Sequence, residues 1–215
     1  MRWFGGCALA LLAVACTTPT PPKAGSEASD SISGLVEAVM ADARRSEHEA
    51  DAGVRDQLAL DATHKADSCL ARERQAAACL YVHALAVGLE AQAHPARARE
   101  LLNNMLADLT RAESVDPNYD QAGPVRVRAL VLIRTPGWPL GPGDPEAGLI
   151  AARRAVSLRP EYPPNLLALA EALAKAGDTQ AAREEYQRAR DTIEALPSST
   201  DRDEWLREAD QSLPR

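Results

Sequence analysis

Aromatic side chains are scarce in this sequence: one Phe, three Trp and four Tyr make up 4% of 215 residues. Sheets are usually built on β-branched and aromatic residues, so this shortage beside abundant Ala points to helices packed closely through small contacts. Long apolar runs are missing too, and the run Ala8 to Ala15 is too short to span a bilayer as a helix. Positive charge is in deficit, with 24 Lys and Arg against 31 Asp and Glu and a net charge of −7. Such a surface repels phosphate backbones and anionic head groups, which argues against nucleic acid as a partner. The hydrophobic fraction of 46% nevertheless fits a folded domain with a sizeable core.

Catalytic and metal-ligating patterns are also missing. The four histidines, His48, His64, His83 and His94, form no HExxH motif and no Cys/His cluster with ligand spacing. No G-x-S-x-G elbow occurs, and in "GPGD" Pro142 removes an amide hydrogen that a phosphate cradle would use. His83 lies on an apolar helix face and reads as a hydrogen-bonded core residue, while "SEHEAD" reads as a solvated charged face. The expectation is therefore a non-enzymatic protein with no cofactor and no metal.

What the chain does have begins at its N-terminus. Residues 1–15 carry one Arg and a short apolar run ending in a small residue before Cys16, the pattern of an export signal. "LLAVAC" resembles the lipobox of bacterial lipoproteins, with Ala13 where Leu is usual; Ala13-Val14-Ala15 also fits an ordinary A-x-A cleavage site. The first reading makes Cys16 a lipidated anchor, and the Ser/Thr/Pro-rich segment 16–30 a flexible tether. Thr17 after the cysteine resembles lipoproteins sent on to the outer membrane of Gram-negative bacteria, facing the periplasm.

Two cysteines remain in the folded part, Cys69 and Cys79, in what would be an oxidising compartment. On one continuous helix they would stand about 15 Å apart and could not bond. If the polar "RERQ" between them is a turn, they meet, and either a disulfide or two buried thiols results.

From Ser31 to Arg215 apolar residues recur with helical periodicity, which predicts an all-α domain over 31–215. Helices are expected at 32–45, 50–71, 75–92, 95–115, 122–135, 145–158, 164–176, 179–195 and 201–212. Asp144 before Pro145 reads as an N-cap, and Thr200 with Asp203 as a variant capping box. Trp205, Leu206, Ala209 and Leu213 share one face of the last helix, suiting a lid over the end of a stack.

Internal repetition is the strongest signal. "NLLALAEALAKAGDTQAAREEYQRA" resembles a tetratricopeptide repeat (TPR), with Leu166, Leu169, Ala170 and Leu173 on its first helix and Ala182, Tyr186 and Ala189 on its second as the packing positions. Counted back from Glu194 by the 34-residue period, the preceding repeat closes at Pro160 in "SLRPEYP". The next such proline, Pro117, lies nine residues too early, and Thr135 to Gly143 supplies nine residues at the turn of that hairpin. The inserted segment "TPGWPLGPGDP" has prolines at every third position from Pro136 to Pro145, which predicts a stiff extended path.

The patterns AGP-x-R (from Ala122), PGWP (from Pro136) and YP-x-N (from Tyr162) resemble the T component (TatT) family of tripartite ATP-independent periplasmic, or TRAP, transporters. The likeness covers roughly residues 50–196. It implies a TPR-like stack of antiparallel hairpins with a capping helix, anchored by lipid. It further implies association with a periplasmic solute-binding protein in small-ligand uptake and a homo-oligomer with a ligand channel. A general TPR scaffold for envelope proteins is the other reading. By the family's geometry, Leu167, Glu171 and Lys175, with Arg126 or Arg128, face a concave groove, the other reading being plain solvated helix residues; Arg134 before the insertion reads as a cap on its helix C-terminus or as an anion ligand. Trp138 is expected chiefly as a plug packing the inserted loop onto the helices, and otherwise as an exposed anchor for a partner.

Overall fold

Side chains that accept backbone amide hydrogens set many of the helix starts. In the computed structural model, which describes residues 31–212, Ser31 accepts from Gly34 ahead of α1 (Ile32–His48) and Asp51 from Gly53 and Val54 ahead of α2 (Ala52–Arg72). Asp144 and Asp178 do the same for α6 (Pro145–Leu158) and α8 (Thr179–Glu194). The remaining helices are α3 (Ala77–Ala93), α4 (Ala98–Val115), α5 (Tyr119–Arg134), α7 (Pro163–Lys175) and α9 (Thr200–Ser212). At α9 the cap is Ser199 rather than Thr200: its hydroxyl accepts the amide hydrogen of Arg202 at 3.1 Å. The expected export segment 1–15, the tether 16–30 with Cys16, and Leu213 lie outside the described residues.

The described residues hold nine α-helices and no strand, arranged as a stack of helical hairpins. Consecutive helices pack against each other, and α1, α3, α5 and α7 also touch in succession, so the odd-numbered helices form one layer. The even-numbered helices cover its back. α9 folds onto α7 and α8, with Ala209 buried and Trp205 edge-on to Tyr162 at 5.8 Å.

Alanine is what lets the layers approach. Ala59, Ala62 and Ala66 on α2 and Ala151, Ala152 and Ala155 on α6 are all buried, in helical spacing, opposite larger residues such as Leu80 and Ile133. The repeat residues Leu166, Leu169, Ala170, Leu173, Ala182, Tyr186 and Ala189 are all buried in one cluster between α7 and α8. A Leu at Ala170 would have to push these helices apart, at a cost of about 1–3 kcal/mol.

"RERQ" is a turn. Cys69 lies in the last turn of α2 and Cys79 in the first turn of α3, and the two are disulfide-bonded with their Cα atoms 5.3 Å apart.

Two segments depart from expectation. The helix expected at 95–115 opens with a 3-10 turn, Pro95–Arg97. In α5, Asp120, Gln121 and Ala122 take φ of 46°, 55° and 65°, a left-handed turn, and the right-handed helix runs on from Gly123 with Pro124 in its first turn. No helix among the described residues is long and apolar enough to cross a membrane.

Candidate functional site: a charged groove and a projecting loop

The odd-numbered helices enclose a groove of about 730 Å³ on the face opposite the even ones. α5 contributes Arg126, Leu130 and Arg134, spaced four residues apart so that they share one helical stripe. α7 contributes Pro164, Leu167 and Ala168; α1 contributes Arg44, Glu47 and His48; and α9 closes the open side with Asp201, Glu204, Trp205 and Glu208. Behind this charged mouth lies a second, mainly apolar chamber of about 400 Å³, walled by Leu85, Leu89, Leu102, Met105, Val127 and Val131. Glu47, Gln92, Leu130 and Arg134 border both spaces.

Only part of the groove's charge is paired: Arg134 has carboxylate partners, whereas Arg44, Asp201 and Arg207 have no ion pair among the described residues. Arg134 donates from Nε and Nη2 to the Glu171 carboxylate, with its shortest contact at 2.6 Å, and reaches Glu208 at 3.8 Å. The bond to Glu171 holds the Arg134 guanidinium above its usual pKa. Burial, and then the neighbouring Glu171 and Glu204, push the Glu208 carboxyl above the ordinary range, against the pull of Arg134. Glu47 is likewise raised, first by desolvation and then by Glu204.

Arg126 is buried and pinned rather than free. Its guanidinium donates to the carbonyls of Asp120 and Gln121, pairs with the Asp120 carboxylate at 3.3 Å and stacks over the Tyr162 ring at 5.2 Å. Arg128 does not face the groove. Two positions from Arg126 on a helix it points to the opposite side, where it pairs with Glu113 at 2.9 Å, a carboxylate it shares with Arg154. Leu167 does line the groove wall, and Glu171 stands on the same stripe bound to Arg134. Lys175 is exposed at the end of α7, beyond the groove.

The inserted segment corrects two expectations. Trp138 is 89% exposed and Leu140 76%, so the tryptophan is no plug; the loop carries it away from the helices. Nor is the path extended. Gly143 donates its amide hydrogen to the Pro136 carbonyl at 2.9 Å, Leu140 donates to Gly137 at 3.1 Å, and Gly137 lies beside Gly143, so the chain doubles back. A side chain at Gly143 would collide with the Thr135 carbonyl, which is why glycine stands there. Asp144 then closes the loop by donating to Leu132 O at 2.9 Å, and Arg99 of α4 holds its tip through the Pro139 carbonyl at 3.3 Å. Thr135, at its base, borders the apolar chamber.

Sequence reasoning missed the contribution of α1 and α9 to the groove. The signal was present in the last helix, where Asp201, Glu204 and Glu208 follow helical spacing next to the apolar face of the expected lid. No family model and no curated protein matches this chain.

Proposed function

We propose that the protein is a non-catalytic, lipid-anchored component of the bacterial envelope that docks a partner protein, as the T component of a TRAP-type system docks its solute-binding protein. The observation that carries this reading is the projecting loop. A tryptophan and a leucine are held out on a hydrogen-bonded turn, beside a chamber that opens at the loop's base. Exposed aromatics on a pre-ordered loop are strong anchors, because little entropy is lost when they dock. The groove has the volume of an ordinary small-ligand site, which suits a role in handing on a solute. The resemblance through AGP-x-R, PGWP and YP-x-N supplies the partner's class, and Cys16 the anchor facing the periplasm. A TPR scaffold without a ligand of its own is the alternative, and the mixed charges of the groove suit it.

Crosslinking in native envelopes, followed by identification of what co-purifies, tests the proposal. Recovery of a solute-binding protein, lost in Trp138→Ala, is expected; a varied set of envelope proteins without one would favour the scaffold. Globomycin should block processing of the precursor, and normal processing in its presence would remove the anchor at Cys16.

A further inference from the structure

At the mouth of the groove, three potential metal donors from two helices converge. The carboxylates of Glu47 and Glu204 and the imidazole of His48 each offer an atom within 4.8 Å of the others, and His48 Nε2 lies 3.9 Å from Glu204 Oε2. Glu47 and His48 occupy the last turn of α1, and Glu204 the second turn of α9. These helices do not pack on each other; the groove separates them.

The carboxylates of the cluster have fewer ion-pair partners than their neighbours on α9. On α9, Glu208 has Arg134 and Asp210 has Arg190 as ion-pair partners. Among the described residues, by contrast, Glu204 has only His48 within 4.0 Å, and no Lys or Arg nitrogen comes that close to Glu47. Two carboxylates are thus held near each other with an imidazole as their one ion-pairing neighbour among the described residues, while Arg44 and Arg134 act on Glu47 from farther away. Mutual repulsion disfavours this arrangement when both are ionised, and a bound cation relieves it.

We propose that Glu47, His48 and Glu204 bind one zinc ion, which ties α9 to α1 across the groove. Two carboxylate oxygens and one imidazole nitrogen form a set that zinc accepts, with water completing a tetrahedron. Bonds of about 2.1 Å place tetrahedral donors about 3.4 Å apart. His48 Nε2 and Glu204 Oε2 stand 3.9 Å apart, slightly wider than that, so small side-chain rotations bring the donors onto one ion that bridges α9 to α1. The ion therefore acts as a clasp on the lid helix. The site went unseen in the sequence because Glu204 lies more than 150 residues from His48.

The test uses the untagged full chain, freed of metal by chelation and titrated with zinc chloride in a calorimeter. One ion per chain with a micromolar Kd is expected. His48→Ala and Glu204→Gln should each weaken binding by about tenfold or more, while His64→Ala, an exposed histidine on α2, should leave it unchanged. The His48 side chain is exposed and that of Glu204 partly so, and circular dichroism should show both variants folded. Amide hydrogen exchange supplies the second readout: zinc should slow exchange across α9 in the wild type and not in Glu204→Gln. The proposal is overturned if zinc does not bind saturably, if binding survives both substitutions undiminished, or if α9 exchange does not respond to the ion.

Discussion

Arg126 donates from Nη1 to Oδ1 of Asn165 at 3.1 Å, joining residues 39 apart in the sequence. They are the last positions of the AGP-x-R and YP-x-N patterns, and together they hold the left-handed turn at the start of α5. Arg126 satisfies the carbonyls of Asp120 and Gln121; the Asn165 amide donates to Gln121 O at 3.1 Å, Ala155 O at 3.2 Å and Arg159 O at 3.3 Å. Tyr81 adds a hydrogen bond to Asp120 Oδ2 at 2.8 Å. Gly123 is needed beside them, because a Cβ there would stand 2.7 Å from Asp120 Oδ2 and 2.8 Å from the Tyr81 hydroxyl. Left-handed backbone costs about 1–2 kcal/mol per non-glycine residue, and this network offsets it.

Asn165 is fully buried, so Asn165→Ala removes its three donated hydrogen bonds and the Oδ1 acceptor of Arg126 from the interior, each carbonyl keeping one other donor. The expected loss is about 2–4 kcal/mol in urea unfolding. Lys175→Ala on the same helix, an exposed position, should change stability by no more than about 0.5 kcal/mol. Equal effects from the two substitutions would mean that the network contributes nothing.

These motif residues show where sequence reading stops. Helix positions, the turn between Cys69 and Cys79, the packing residues of α7 and α8 and the loop that separates α5 from α6 were all legible, because each depends on local periodicity or on turn-forming residues. Which way a side chain turns was not. Arg126 and Arg128 are equivalent in composition and nearly so in position, yet one lines the groove from a buried network and the other pairs with Glu113 on the far side. The left-handed turn was illegible because Asp, Gln and Ala do not announce it; the donors that hold it come from other helices. The loop's doubled-back path depends on Gly143 meeting Thr135, a contact that the proline spacing does not encode.

Trp138 separates packing from docking. With 89% of its surface exposed, Trp138→Ala should shift stability by no more than about 0.5 kcal/mol in thermal unfolding. Affinity for the proposed partner should fall by about 2 kcal/mol or more, roughly thirtyfold. A loss of several kcal/mol in stability would instead restore the plug.

The Cys69–Cys79 bridge closes a short loop, with a sequence separation of 10. Restricting the unfolded chain over that span contributes about 2–3 kcal/mol. Cys69→Ala/Cys79→Ala should therefore unfold at lower urea than the oxidised protein and close to the reduced one. Mass mapping after thiol labelling of denatured, unreduced protein should find neither position modified.

His83 should make part of the stability depend on pH. Its Nδ1 meets Asp108 Oδ2 on α4 at 2.7 Å and its Nε2 meets Asp67 Oδ1 on α2 at 3.5 Å, so the imidazole of α3 links three helices. The hydrogen bond to Asp108 is the main cause that lifts its pKa above 6.5, with further help from both carboxylates, against desolvation and Arg111. A basic group whose pKa is raised by folding stabilises fully below its unfolded value and loses that contribution as pH rises through the folded one. The stability gap between wild type and His83→Ala should thus be largest below 6.5, at about 1–2 kcal/mol, and shrink as the solution becomes alkaline. Thermal unfolding of both proteins across that range measures it directly, and a gap that stays constant or widens with rising pH would show that His83 acts as a neutral packing residue.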